Sequence, residues 1–335
     1  MRFLCIFVVK SKKTRIMIKK RILISIALIV LVTLAAIVGG SFYMLDYSLG
    51  YAHKPGDMRG DTESAYSELY RRVPDMKPWC DSLIQRGLIR DTFVVMPSGE
   101  HHHAIYLRND SAKGRTAIVV HGYTDNCVKF MYLGRMYHRD LGFNILMPDL
   151  HAHGKSEGEE IQMGWKDRFD VIRWIEVAEE LFRDTVSESQ VVVHGVSMGA
   201  ATTMCVSGEE LPAYVKVFVE DCGYTSVWDE FRGELKAQFS LPPFPLLYTA
   251  SALCKLKYGW TFGEASPISQ IAKCRRPMLF IHGDADTYVP FAMLQPLYDA
   301  KPEPKAMWIA PGSKHADAYL DHREEYTAQV RKFLE

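Results

Sequence analysis

One segment constrains the fold more than any other. Residues 190–194, Gln-Val-Val-Val-His, run into Gly195-Val196-Ser197-Met198-Gly199 and straight on into Ala200-Ala201-Thr202-Thr203-Met204-Cys205-Val206. The first run has the β-branched character of a buried strand, and the last is a small-residue helix pattern. A chain that passes from strand to helix in so few residues must strain the backbone of the middle residue, and glycines on either side leave room for that turn. The pentapeptide by itself is weak, because chance supplies Gly-x-Ser-x-Gly in about one chain in ten of this length. Its setting between strand and helix gives it weight.

Similar short runs recur along the chain at 92–96, 104–107, 117–120, 144–147, 190–193, 216–219, 278–281 and 306–309. Between the later ones lie stretches of helical period. In residues 163–182, Trp165, Phe169, Ile172, Ile175, Ala178 and Phe182 repeat at steps of three and four, which predicts an amphipathic helix. Apolar strands alternating with helices predict a mostly parallel, eight-stranded sheet covered on both faces, with its ligand site beyond the C-terminal ends of the strands. Residues 224–267 do not fit the alternation. They are too long and too apolar for a surface loop, and predict a small helical cap over the strand ends, with Trp228, Phe231, Phe239, Tyr248, Leu253 and Trp260 as its apolar content.

A serine hydroxyl is a poor nucleophile until a neighbouring base takes its proton, so Ser197 calls for a histidine and a carboxylate that orients it. Asp286, in Ile281-His282-Gly283-Asp284-Ala285-Asp286-Thr287-Tyr288-Val289-Pro290, follows a strand, and His315, in Pro311-Gly312-Ser313-Lys314-His315, follows the last strand. Both positions fall on the sheet edge that carries Ser197, in the order Ser, Asp, His.

These motifs resemble those of the α/β-hydrolase superfamily, in its branch of small-capped esterases and serine-aminopeptidase-like hydrolases, over residues 92–335. The resemblance implies the α/β-hydrolase fold and a serine hydrolase acting on carboxylic esters through an acyl-enzyme. Acyl-thioesterase and amidase or peptidase activity on the same three residues are the alternatives. A catalytically silent, membrane-tethered binding module is the alternative of another class. The family spacing to Val289-Pro290 assigns the acid to Asp286 rather than Asp284, with Asp221 after the sixth strand in reserve. His121-Gly122-Tyr123 resembles the family's oxyanion loop, which implies backbone N–H donors at Tyr123 and Met198. The run Pro148-Asp149-Leu150-His151-Ala152-His153-Gly154-Lys155-Ser156 resembles the structural loop after strand four, with His151 or its neighbour where an arginine is common. His151 and His153 are read as a tight turn rather than as metal ligands. For Asp125 and Asn126, in the oxyanion loop, contact with substrate and a turn-forming role are equally expected; a solvated turn is expected for His101-His102-His103, and structural roles for His121 and His194. No cofactor and no metal is called for.

The N-terminal side sets the location. Arg2, Lys10, Lys12, Lys13, Arg15, Lys19, Lys20 and Arg21 precede an uncharged stretch at 22–45, long enough to cross a bilayer as a helix. The expected organisation is a basic cytoplasmic segment at 1–21, an anchor at 22–45, a stalk with lead-in helices at 46–90 broken by Pro55, Gly56, Gly60, Pro74 and Pro78, and the hydrolase domain at 91–335. Basic residues before the stretch predict a catalytic domain outside the cytoplasm. Cleavage as a signal peptide, giving a secreted or periplasmic protein, is the alternative. Met17-Ile18-Lys19-Lys20-Arg21 reads as a complete basic leader, so translation from Met17 is as consistent as from Met1. The expected partners are a small acyl ester and the membrane. Nucleic acid is not expected, since 40 Lys and Arg balance 40 Asp and Glu across 335 residues. The seven cysteines form no Cys-x-x-Cys pair, spacing fixes no disulfide, and Cys205 is expected to be a buried small residue.

Overall fold

Each β-branched run becomes a strand: β1 (Arg90–Val95), β2 (His101–Leu107), β3 (Arg115–Val120), β4 (Asn144–Pro148), β5 (Gln190–Val196), β6 (Val215–Asp221), β7 (Met278–Gly283) and β8 (Lys305–Ala310). The computed structural model describes residues 2–50 and 61–335, and only the backbone of residues 2–14 and 16. Pro55, Gly56 and Gly60, and the side chain of Cys5, lie outside the described residues. The strands form one sheet in the order β1-β2-β4-β3-β5-β6-β7-β8. β2 runs antiparallel to both its neighbours, and β4, β3 and β5 to β8 are mutually parallel. Alternation along the strands divides their side chains between two cores. Ile118, Val120, Val191, Val193 and Phe218 pack on one face, and Ala117, Val119, Val192, Val219 and Leu279 on the other.

Helices cover both faces: α1 (Arg2–Leu49), α2 (Thr62–Arg72), α3 (Met76–Gln85), α4 (Met131–Arg135), α5 (Asp167–Phe182), α6 (Met198–Ser207), α7 (Val227–Phe239), α8 (Leu246–Tyr258), α9 (Pro267–Ile271), α10 (Leu294–Ala300), α11 (Ala318–Asp321) and α12 (Arg323–Leu334). α7 and α8 lie in the stretch between β6 and β7. α5 begins four residues later than the apolar period, because Met163 and Gly164 take φ of 51° and 77° and cannot be helical. Its buried stripe is Val171, Trp174, Ile175, Ala178 and Phe182, while Phe169, expected on that stripe, is half exposed with the Arg168 guanidinium over its ring.

The His101-His102-His103 run is a second departure. It opens β2, and His102 and His103 are buried rather than solvated. His103 can be buried because both ring nitrogens are met, Nδ1 by Asp149 Oδ2 at 2.7 Å and Nε2 by Asp91 Oδ1 at 2.8 Å.

α1 differs most from expectation at its C-terminal end. Residues 46–49, assigned by sequence to a stalk, continue the helix, and Ser41, Leu45 and Leu49 form a buried stripe at steps of four facing the domain. The last carbonyls of a helix need partners from outside it. Here Ser48 O accepts from Tyr123 Oη at 2.7 Å and Leu49 O from Ile161 N at 2.7 Å. Ser41 Oγ donates to Leu246 O at 3.1 Å, which docks α1 on α8. Between Ile22 and Gly40 the helix is uncharged and unburied, and among the described residues α1 is the single helix long and apolar enough to cross a membrane. Cys80, Cys127, Cys205, Cys222, Cys254 and Cys274 are buried free thiols.

Candidate active site

At the end of β5 the backbone of Ser197 sits at φ 58°, ψ −119°, outside the region open to most side chains, and α6 starts at the next residue. Ser197 N–H donates to Asp221 O at the end of β6, 2.8 Å away. The glycines on either side are required by space. A Cβ on Gly195 would lie 1.9 Å from Gly199 O, and one on Gly199 would lie 2.2 Å from Val120 O and 2.5 Å from His121 O. The loop after β3 therefore runs against the turn, with Gly122 so close that its Cβ would stand 3.5 Å from that of Ser197.

His315, in the loop between β8 and α11, reaches the serine from the other side. Its Nε2 lies 2.8 Å from Ser197 Oγ, and its Nδ1 lies 2.7 Å from Asp286 Oδ2. With Nδ1–H donating to the carboxylate, Nε2 is the acceptor for the serine hydroxyl. Asp286 is held in turn. Its Oδ1 accepts from Tyr288 N at 2.9 Å and Val289 N at 3.1 Å, and Oδ2 also faces His282 Nε2 at 3.3 Å. Burial raises the Asp286 carboxyl, but hydrogen bonds from His282 and His315 outweigh it and hold the group below the usual carboxylate range. A carboxyl group favoured in its ionised form behind a histidine is the arrangement that proton acceptance from a serine uses.

Relatives agree with this architecture. The family model for the alpha/beta hydrolase fold matches residues 118–243. The Bacillus subtilis protein YqkD is 33% identical over 223 residues, 66% of this chain and 71% of its own length. This chain belongs to the α/β-hydrolase family. The Arabidopsis protein WAV2, an alpha/beta hydrolase domain-containing protein, is 25% identical over 257 residues, 74% of this chain and 79% of its own. Among solved structures, an esterase of Pyrococcus furiosus superposes with a TM-score of 0.58 at 20% identity, over 73% of this chain and 91% of its own. An acylaminoacyl peptidase of Pyrococcus horikoshii does so with 0.57 at 15%, over 76% and 42%. At such identities the likeness is one of fold.

Within this α/β-hydrolase fold the other expected residues fall as follows. Tyr123 and Met198 line the same cavity as Ser197, Met198 as the first residue of α6. Asp284 is outside the hydrogen-bonded chain. Its Oδ1 accepts from Gly312 N at 2.6 Å, which fixes the loop leading to His315. The carboxylate of Asp221 accepts from Tyr326 Oη at 2.9 Å, and burial pushes it up to about 6. Asp125 pairs with Lys129 at 2.8 Å, and Asn126 Oδ1 accepts from Lys129 N at 3.2 Å, both turn contacts. His121 is bonded to Gly122 O and Leu150 N, and His194 to Tyr137 and Tyr326, so both are satisfied structural histidines. His153 accepts from Thr124 N at 3.2 Å and braces the loop after β3.

The cavity over Ser197 has a volume of about 610 Å³. Of the apolar residues expected to fill it, Phe231 and Phe239 line it, joined by Leu235, Leu247, Ala250 and Phe262. Trp228 and Tyr248 instead pack edge to face on each other at 4.8 Å, while Trp260 is buried against Phe262. One wall comes from the end of α1, through Tyr43, Met44 and Tyr47.

Three features escaped the sequence reading: His282 behind Asp286, the α1 wall, and Glu230. A histidine four residues before the acid was the visible signal for the first. Glu230 lines the cavity and is 5% exposed; burial, with Glu234 and Asp286 nearby, raises it to about 8. The unfolded carboxyl titrates near 4.5, so the folded state holds the extra proton and stability falls as pH rises from there through 8. Glu230→Gln is expected to remove this slope. The variant should match wild type near pH 4.5 and exceed it by roughly 1–4 kcal/mol at pH 8, read from urea unfolding at both values.

Among the described residues, three groups bring potential metal ligands together: Cys222, Asp286 and His315 in the site itself; His103, Cys127 and Asp149, where His103 is already saturated; and Glu100, His102 and His151.

Proposed function

We propose that this protein is a serine hydrolase that cleaves carboxylic esters of apolar acyl groups. The observation that carries the reading is the continuous hydrogen-bonded chain from Asp286 through His315 to Ser197, with distances of 2.7 and 2.8 Å, ending at the floor of an apolar cavity. Ser197 Oγ attacks the carbonyl carbon while His315 Nε2 takes its proton, and Asp286 stabilises the imidazolium that results. Backbone N–H groups of Tyr123 and Met198 receive the oxyanion, aided by the N-terminal end of α6. His315 then returns the proton to the departing alcohol. Water, activated the same way, releases the acid from the acyl-enzyme. His282 acts through Asp286, holding its carboxylate in place.

The cavity wall favours neutral substrates. Among the described residues it carries Asp46, Glu230 and Glu234, and neither Lys nor Arg. A free carboxylate or phosphate on the substrate meets acidic side chains there.

We place the apolar stretch of 22–45 across a membrane as the anchor as far as Gly40, short of the residues that dock on α8, with the basic segment on the cytoplasmic side and the hydrolase domain at 91–335 outside, with 224–267 as its cap. The unburied apolar face of α1 and the basic residues before it support this reading. Residues 41–49 then hold the cavity at the bilayer surface rather than at the end of a stalk.

Thioester and amide cleavage use the same residues. The test is a panel of neutral acyl esters, matched thioesters and aminoacyl amides, offered to the full chain in detergent micelles. The expected result is the highest kcat/KM on esters, rising with acyl length and falling when the acyl chain ends in a carboxylate. Amide cleavage without ester turnover would overturn the ester reading.

A further inference from the structure

Among the buried histidines of this chain, one is unlike the rest. His102 is fully buried at the start of β2, yet neither ring nitrogen has a hydrogen-bond partner, whereas both nitrogens of the adjacent His103 are bonded. Buried polar groups are nearly always met, so an orphan of this kind calls for an explanation. The surroundings of His102 supply one. Its Nε2 lies 3.8 Å from Glu100 Oε2, and the same oxygen lies 3.2 Å from His151 Nδ1. All three atoms fall within 4.8 Å of one another. Ligands that share a tetrahedral zinc at about 2.0–2.1 Å stand about 3.3–3.4 Å apart, so the three already converge on a common centre.

The atoms behind the imidazoles follow the same logic. His102 Nδ1 faces Asp170 Oδ2 at 3.5 Å, and His151 Nε2 faces Glu160 Oε2 at 3.6 Å. A carboxylate behind each ligating imidazole fixes the tautomer that turns a lone pair towards a metal. Charge points the same way. Glu100, Glu160, Asp167 and Asp170 gather around two imidazoles, and among the described residues none of these carboxylates is ion-paired with Lys or Arg. Asp167 Oδ1 also lacks a partner. The one competing contact is Ser98 Oγ, which donates to Glu100 Oε2 at 2.9 Å and would shift as that oxygen turned to an ion.

We propose that Glu100, His102 and His151 form a divalent-cation site, suited by its two imidazoles and one carboxylate to zinc, with water completing the coordination. The site is separate from Ser197 and is structural. It ties the turn before β2 to the loop after β4, and Glu160, behind His151, is bridged to Gly50 at the base of α1. The paired histidines of His151-Ala152-His153 are not its ligands together, because His153 turns to Thr124; the partner of His151 comes from another strand.

The test strips the full chain in detergent with EDTA, removes the chelator, and titrates Zn²⁺ against the wild type and folded variants, with bound metal counted by mass spectrometry. The expected result is one Zn²⁺ per chain, a thermal midpoint raised by the ion, and loss of that uptake in both His102→Gln and Glu100→Gln. Glu100 is partly exposed, so its variant folds even where a buried substitution does not. Asp170→Asn, which removes only the group behind His102, should weaken binding about 10–100-fold. His315→Ala should leave the uptake intact, which separates this site from Asp286, Cys222 and His315. No uptake by wild type, equal uptake by folded His102→Gln and Glu100→Gln, or uptake abolished by His315→Ala would each overturn the proposal.

Discussion

Replacing Ser197 with alanine is expected to lower kcat on a neutral acyl ester by about 10⁶-fold while leaving the fold unchanged. The size follows from what remains. Without Oγ there is no covalent route, and only the oxyanion donors and the cavity act on a water molecule, leaving the order of 10³–10⁴ over the uncatalysed rate. The fold survives because alanine keeps the Cβ that already tolerates φ 58°, and Ser197 N still donates to Asp221 O. Steady-state kinetics and thermal unfolding of the same preparation check both halves. A loss of activity accompanied by a lower midpoint would point to damage at the turn instead of a missing nucleophile.

Asp286→Asn should reduce kcat by about 10⁴-fold with little change in KM. The two oxygens of Asp286 do different work. Oδ1 accepts from the backbone of Tyr288 and Val289, so in the variant the amide oxygen takes that place. The NH₂ group is then turned to His315 Nδ1 and His282 Nε2, where a carboxylate had accepted from both. His315 is driven to the tautomer with its proton on Nε2, and that nitrogen no longer accepts from the serine. Ser197 keeps its position but loses its base. A rate within tenfold of wild type would remove Asp286 from the mechanism and return attention to Asp221 and Asp284.

Local chemistry written into consecutive residues was legible in the sequence. The strand before Ser197, the glycines beside it and the helix after it encode a turn whose crowding leaves no other residue at 195 or 199. The eight β-branched runs lie within the observed strands to a residue or so because from β3 to β7 both sheet faces are covered, so the middle of each of these strands is a continuous apolar run. Asp286 and His315 were legible because each follows a strand and therefore falls on the edge that carries Ser197.

What depended on contacts between distant segments was not legible. Leu45 reads as the tail of an anchor and Leu49 as the start of a stalk until α8 and Tyr123 are placed beside them. The histidines at the start of β2 read as solvated because nothing local marks Asp91, Asp149 or the loop after β4 as their cover. Trp228, Tyr248 and Trp260 have the composition of a pocket lining, yet aromatic rings pair with each other as readily as they face a cavity. α5 starts late because Met163 and Gly164 adopt backbone angles that apolar periodicity does not report.

The most direct test of the central claim is a fluorophosphonate reaction with the folded full chain, followed by digestion and mass spectrometry. The account predicts one adduct per chain, on Ser197, formed at a rate that falls sharply in Asp286→Asn and absent from Ser197→Ala. Wild-type protein that is folded and stays unlabelled, or that carries its adduct on another residue, would contradict it.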